Sequence, residues 1–203
     1  MSRRRPLLLL LLASLLAAAP LTLAKDAQQA PARAEAIPSQ PVVPSAKAVD
    51  AMRLLESTDP YQRQLGFLRL EALREPATLE PIHRYVNHRD PELRAYSLRA
   101  LAAIDGANAI ALLLHQLKTD KQAIVRQAAL LGLEPLQAAD PQILPAFLAA
   151  LRDRNTEVRM TAVDIVSRID DPRARQAIFQ RNKHERRRDV RRVLSLAMKR
   201  IAK

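Results

Sequence analysis

The sequence has no cysteine, no tryptophan and only three glycines. Without cysteine there is no disulfide, no thiolate zinc site, no cysteine nucleophile and no lipid-modified N-terminal cysteine. Scarce glycine argues against folds that need positive φ at fixed points, such as β-sandwiches, β-barrels, phosphate-binding loops and dinucleotide-binding units. Aromatic residues make up 3% of the chain, three Tyr and three Phe, so the core must be aliphatic. Against these absences stand 14 prolines and a hydrophobic share of 48% in 203 residues. That share supports a buried core and is too high for wholesale disorder. What remains is a helical protein rich in Ala, Leu and Arg.

The chain opens Met1-Ser2-Arg3-Arg4-Arg5 and then runs apolar from Leu7 to Ala19, broken only by Ser14. Pro20, Leu21-Thr22-Leu23-Ala24 and the charged Lys25-Asp26 follow. A cationic start, a short apolar run and a small residue before charge predict a secretory signal peptide over residues 1–24, cleaved after Ala24. The competing reading is a retained anchor, because Leu7 to Ala24 is close to the minimum spanning length. The expected location is the periplasm or the exterior, or the inner membrane if the segment is kept. Residues 25–47 carry Pro31, Pro38, Pro41 and Pro44 with no apolar period, which predicts a flexible, semi-extended linker.

Beyond the linker the sequence repeats. Arg63, Arg94, Arg126, Arg159 and Arg191 are spaced 31, 32, 33 and 32 residues apart. One residue before each stand Gln62, Leu93, Val125, Val158 and Val190. Three after come Gly66, Ser97, Ala129, Ala162 and Leu194; seven after, Leu70, Leu101, Leu133, Val166 and Met198. Ten after come Leu73, Ile104, Leu136, Ile169 and Ile201. Offsets −1, +3, +7 and +10 fall within about 80° on a helix, so each set is one buried face. A second amphipathic segment precedes each: Val49–Ser57, Thr78–His88, Asn108–Thr119, Pro141–Asp153 and Pro172–Lys183. Asp59-Pro60, Asp90-Pro91, Asp140-Pro141 and Asp171-Pro172 read as N-caps with proline in the first turn. The unit is helix–turn–helix, repeated five times over residues 48–203.

The pattern Asp-x-x-x-x-Val-Arg-x-x-Ala stands at Asp120 to Ala129 and at Asp153 to Ala162, with Glu185 to Arg191 as a weaker copy. It resembles short HEAT repeats of the phycobilisome-lyase HEAT-like type. In the first two copies Ser57 and His88 fill the acid's place. The resemblance implies an all-α solenoid of stacked helix pairs with an Asp-to-Arg ladder between neighbouring turns, in which the five arginines are structural. It carries no catalytic residue across. The repeated His-Glu pairs of the di-iron HEAT-like hydroxylases are reduced here to His184-Glu185. His83 and His88, about 140° apart on a helix, cannot chelate from one face. No enzyme activity, metal or cofactor is expected.

Charge is concentrated at one end. Residues 173–203 hold 12 Lys and Arg against two acids, a net of +10, whereas residues 25–172 hold 18 against 19. Arg186, Arg187, Arg188 and Arg192 are the candidate anion-binding residues of this end, facing phospholipid, lipopolysaccharide or an acidic protein. A second candidate surface is the row at offsets +1, +5 and +8, opposite the buried face, which solenoids turn to their concave side. Leu68, Arg99, Leu131, Met160 and Leu196 stand in it as candidate partner-binding residues, with the leucines and Met160 expected to line up as a shallow apolar strip. The sequence thus reads as an exported HEAT-like adaptor for a protein partner. The runner-up is an envelope-binding module that uses the basic end. Nucleic-acid binding, known among HEAT-like DNA glycosylases, ranks below both, as does a metal-dependent oxidoreductase of the hydroxylase type. Export and the lack of stacking aromatics in the basic end count against nucleic acid.

Overall fold

Each repeat folds as the spacing requires. The computed structural model describes residues 43–202, so the signal-peptide segment and most of the linker lie outside the described residues. The described residues hold helices and turns and no strand. The pairs are α1 (Ala46–Leu55) with α2 (Pro60–Leu73), α3 (Leu79–His83) with α4 (Pro91–Asp105), and α5 (Ile110–Thr119) with α6 (Ala123–Leu133). Then come α7 (Ile143–Ala150) with α8 (Thr156–Val166), and α9 (Pro172–His184) with α10 (Arg188–Ile201).

The bounds of four first helices differ from expectation. The first helix begins inside the expected linker, because Ser45 caps it by accepting the Ala48 N–H at 3.2 Å. The Ser45 N–H and Oγ in turn donate to the Glu75 carboxylate at 2.8 and 2.6 Å, which holds the Glu75 carboxyl below its ordinary range. Three of the first helices are also shorter than expected. Pro76–Thr78 and Gly106–Ala109 enter as 3₁₀ turns, and Pro141 and Gln142 form a turn ahead of Ile143. Gly106 breaks the apolar run Pro91–Thr119 with φ of 57°, which an L-residue resists, so the run is two helices of the array. Three of the four expected caps are made: Asp59, Asp90 and Asp171 accept the N–H two residues on, at 2.7–2.9 Å. Asp140 instead accepts the Gln142 N–H at 2.7 Å within the turn that precedes α7 and does not cap the helix.

Offsets −1, +3 and +7 are buried in every repeat except at Gln62 and Met198, which are half-buried. Offset +10 is half-buried throughout; α6 and α8 have already ended at Leu133 and Val166. The structure adds a column that the 80° face did not include. Phe67, Leu98, Leu130 and Val163, at +4, are fully buried. They lie beyond the first face because each second helix is covered twice, by its own first helix and by the next second helix. The second helices α2, α4, α6, α8 and α10 stack directly, while neighbouring first helices touch far less, so the array bends toward the second helices. One continuous apolar core results. Where α1 crosses α2, a Cβ on Gly66 would stand 2.9 Å from the Ala51 carbonyl oxygen, so a side chain is excluded there.

The ladder is a repeated clamp. Arg94 Nε and Nη2 hold both Asp120 carboxylate oxygens at 2.9 and 3.0 Å, and Arg126 holds Asp153 at 2.7 Å through both nitrogens. Arg159 holds Glu185 at 3.0 and 3.3 Å. The remaining Nη1 of each arginine donates to two carbonyls of its own turn, His88 and Arg89, Asp120 and Lys121, Asp153 and Arg154. Each guanidinium thereby fixes its own turn and the next one together. Arg63 makes only the inner half, to the Ser57 and Thr58 carbonyls, and its buried Nε has no acceptor. His88 stands where the acid should be. Its Nδ1 accepts the Asp90 N–H at 3.0 Å, as Asp120 accepts that of Gln122 at 2.7 Å.

Two outcomes follow. Ala162 is fully buried on the spine, so Ala162→Asp should cost about 3–5 kcal/mol, the penalty of an unpaired buried charge. A melt indistinguishable from the parent's would overturn the face assignment. His88→Asp, which can both cap Asp90 and meet Arg63 Nε, should raise stability by about 1 kcal/mol, read as a higher denaturation midpoint.

Candidate binding surfaces

The inner row of the second helices is less apolar than expected. Leu68, Leu131 and Leu196 are exposed, at 41%, 43% and 59%. Met160 is a correction: it is half-buried and packs against the core, because the bend tucks the +1 position under the neighbouring helix. Ala95, also at +1, is buried for the same reason, as are Ala102 and Ser167 at +8. Arg99 is half-exposed and engaged, its Nη2 donating to Glu71 Oε1 at 3.2 Å. The +5 column therefore reads Leu68, Arg99, Leu131, Asp164, Leu196: apolar and charged in strict alternation. With ~10 Å between packed helices, the leucines stand ~20 Å apart as separate footholds. The continuous apolar strip is not formed.

Polar bonds lace the row from repeat to repeat. Gln127 donates to Thr161 Oγ1 at 2.8 Å, and Arg168 bridges Glu134 at 2.6 Å and Asp164 at 2.9 Å. Arg200 reaches Ser167 Oγ at 2.8 Å. These ties hold the leucines on a stiffened surface.

The four candidate anion ligands divide between two places. Arg186 and Arg187 lie in the turn between α9 and α10, and their backbone N–H groups donate to Glu185 Oε1 at 3.0 and 2.9 Å. The Arg187 guanidinium pairs with Asp189 at 2.9 Å, so it is partly neutralised. Arg188 and Arg192 stand one turn apart on α10 with Lys199, all exposed, on the side that carries Leu196. The basic end is thus partly a turn and partly the last stretch of the inner row.

Sequence reading missed two clefts between the first helices. Leu114, Leu117, Ala146 and Ala150 floor one of about 430 Å³ between α5 and α7. Leu148, Ala177, Arg152 and His184 line another of about 520 Å³ between α7 and α9. The signal was the small residues at 146, 149, 150 and 177, which leave the first helices incompletely packed. His83, His115 and His184 are exposed, and among the described residues no three His, Asp or Glu side chains gather as a metal site.

The stacked pairs, the bend and the guanidinium clamp define an α-solenoid of helical repeats. The chain belongs to the HEAT-repeat family, whose model, HEAT repeats, matches residues 50–134 and 125–199. Among solved structures it is similar to the complex of CpcE and CpcF of phycocyanin lyase from Nostoc sp. PCC7120. That match has 23% identity and a TM-score of 0.63, and covers 75% of this chain and 98% of that one. An engineered protein matches at 17% identity and a TM-score of 0.48, over 76% of this chain and 79% of that one. No curated protein matches.

Glu185 ties the ladder to the basic turn. Burial raises its pKa, but bonds from Arg181, the Arg187 N–H and Arg159 outweigh that and bring it to about 2. A carboxylate held below its ordinary value near 4.5 adds stability above that value and loses it as pH falls toward about 2. The melting temperature should therefore drop across that acid window. Glu185→Gln should melt lower near neutrality and lose less on acidification.

Proposed function

We propose that the chain is a binding scaffold for a protein partner, held along the inner row of second helices. The observation that carries this reading is the alternating +5 column: three exposed leucines at a fixed spacing, on helices locked by the ladder and by the inner-row bonds. A spacing of ~20 Å matches apolar residues about six apart in an extended segment, at ~3.3 Å per residue. It also matches residues about 13 apart on a helix, at 1.5 Å per residue. Arg99 and Asp164, already paired with Glu71 and Arg168, separate the leucines with polar surface, and the exposed Arg188, Arg192 and Lys199 favour an acidic end of the partner at the last repeat. The similar solved fold is itself a complex of two subunits, which supports partner binding. That complex's lyase activity brings no catalytic residue to this chain. The cationic and apolar N-terminal residues further lead us to place the scaffold outside the cytoplasm.

Leu68→Lys, Leu131→Lys and Leu196→Lys should leave helicity and melting nearly unchanged, because these side chains are already in water. Crosslinking in intact cells followed by mass spectrometry should show a partner with the parent chain and lose it with the triple variant. Undiminished crosslinks would remove the inner row from the binding surface, and a large loss of stability would make the row part of the core.

A further inference from the structure

The turns joining first to second helices form the edge of the solenoid that carries the ladder, away from the inner row. Five residues before the ladder arginines stand Thr58, Arg89, Lys121, Arg154 and Arg186, all exposed. From the second repeat onward, four successive turns present a cation at the same register. With ~10 Å between packed helices, the column runs ~30 Å.

Acids of this edge do not balance it. Asp120, Asp153 and Glu185 each precede one of these cations, yet every one of the three carboxylates is turned inward, bound by the arginine of the preceding repeat and by backbone N–H groups of its own turn. The ladder thus consumes the negative charge and leaves the positive charge in water. Arg154 Nη2 donates to the Lys121 carbonyl at 2.6 Å, which draws two neighbouring cations together with no carboxylate between them. Lys118, Arg152 and Lys183, exposed at the ends of the first helices, widen the strip. Other acids near it are Asp59 and Asp90, which cap α2 and α4 through the Tyr61 and Glu92 N–H groups, and the exposed Glu92, Glu157 and Asp189, the last already bound to Arg187. They are fewer than the cations of the widened strip from the second repeat onward.

We propose that this edge is an electrostatic docking surface for an anionic phospholipid bilayer. The cations stand in line on a rim, so a flat sheet of phosphates meets all of them at once. An acidic peptide would need a groove along the column to hold its backbone, and a nucleic acid would need aromatic platforms that none of these positions supplies. The inner row points elsewhere and stays open to a partner. The two readings therefore fail independently.

The test is sedimentation of the full chain with vesicles of phosphatidylcholine and phosphatidylglycerol, against phosphatidylcholine alone, at low salt. The N-terminal apolar run is common to every sample. The parent should prefer the anionic vesicles and be released as salt shortens the screening length below ~10 Å. Lys121→Glu with Arg154→Glu and Arg186→Glu should weaken that binding at least roughly a hundredfold, about fivefold for each lost cation. The change should leave binding to phosphatidylcholine untouched. Should the triple variant melt early, the corresponding Gln substitutions decide, with a smaller loss in the same direction. Leu131→Lys should bind vesicles like the parent. Equal binding of parent and variants to anionic vesicles would overturn the assignment, as would indifference of the parent to lipid charge.

Discussion

The guanidinium clamp is the constraint on which the array depends. One planar cation with five donors spans two turns, taking two carbonyls of its own and both carboxylate oxygens of the next. Without it those carbonyls and acids would be buried and unpaired, at a cost of several kcal/mol for each charge. Apolar burial along the second helices supplies more of the total free energy, at ~1.5–3 kcal/mol for each large side chain. That energy is indifferent to small slips of one repeat against the next. The clamp is not, because bidentate geometry tolerates little rotation. Burial therefore makes the stack, and the arginines fix its pitch.

The one defective rung shows the same logic from the other side. Between the first and second repeats the acid is replaced by His88, and three of the six aromatic residues, Phe67, Tyr85 and Tyr96, gather where the rung is incomplete. Phe67 meets Tyr85 edge-on with centroids 5.2 Å apart and stacks on Tyr96 at 6.1 Å, while Tyr85 lies 5.8 Å from His88. The Tyr85 hydroxyl donates to the Leu55 carbonyl at 3.1 Å, back across the same junction. Aromatic packing, worth ~0.5–1.5 kcal/mol per pair beyond burial, substitutes for charge in holding this junction.

Such a fixed stack makes surfaces by translation. Whatever stands at one offset recurs about every 10 Å, so a column of side chains is the unit of recognition. The +5 column alternates leucine with charge on the inner face, and the column five residues before each arginine is cationic on the edge. These faces differ in chemistry because the ladder removes carboxylates from one and leaves the other to its own cross-repeat bonds. A protein segment and an anionic surface would thus address different columns of one array.

The spacing of five arginines and the aliphatic residues around them determined the repeat, its helix–turn–helix content and the buried offsets −1, +3 and +7, since helical periodicity depends on residue order alone. Caps were legible too, because Asp-Pro acts within two residues. Tertiary structure decided what depends on neighbours about 30 residues away. The +4 column is core because the next second helix covers it, and Met160 is half-buried because the array bends. Lys121 and Arg154 are unbalanced because the acids beside them face inward to arginines of another repeat. A residue's offset states which side of its own helix it occupies; whether that side meets water, a carboxylate or another helix is fixed only by how the repeats are stacked.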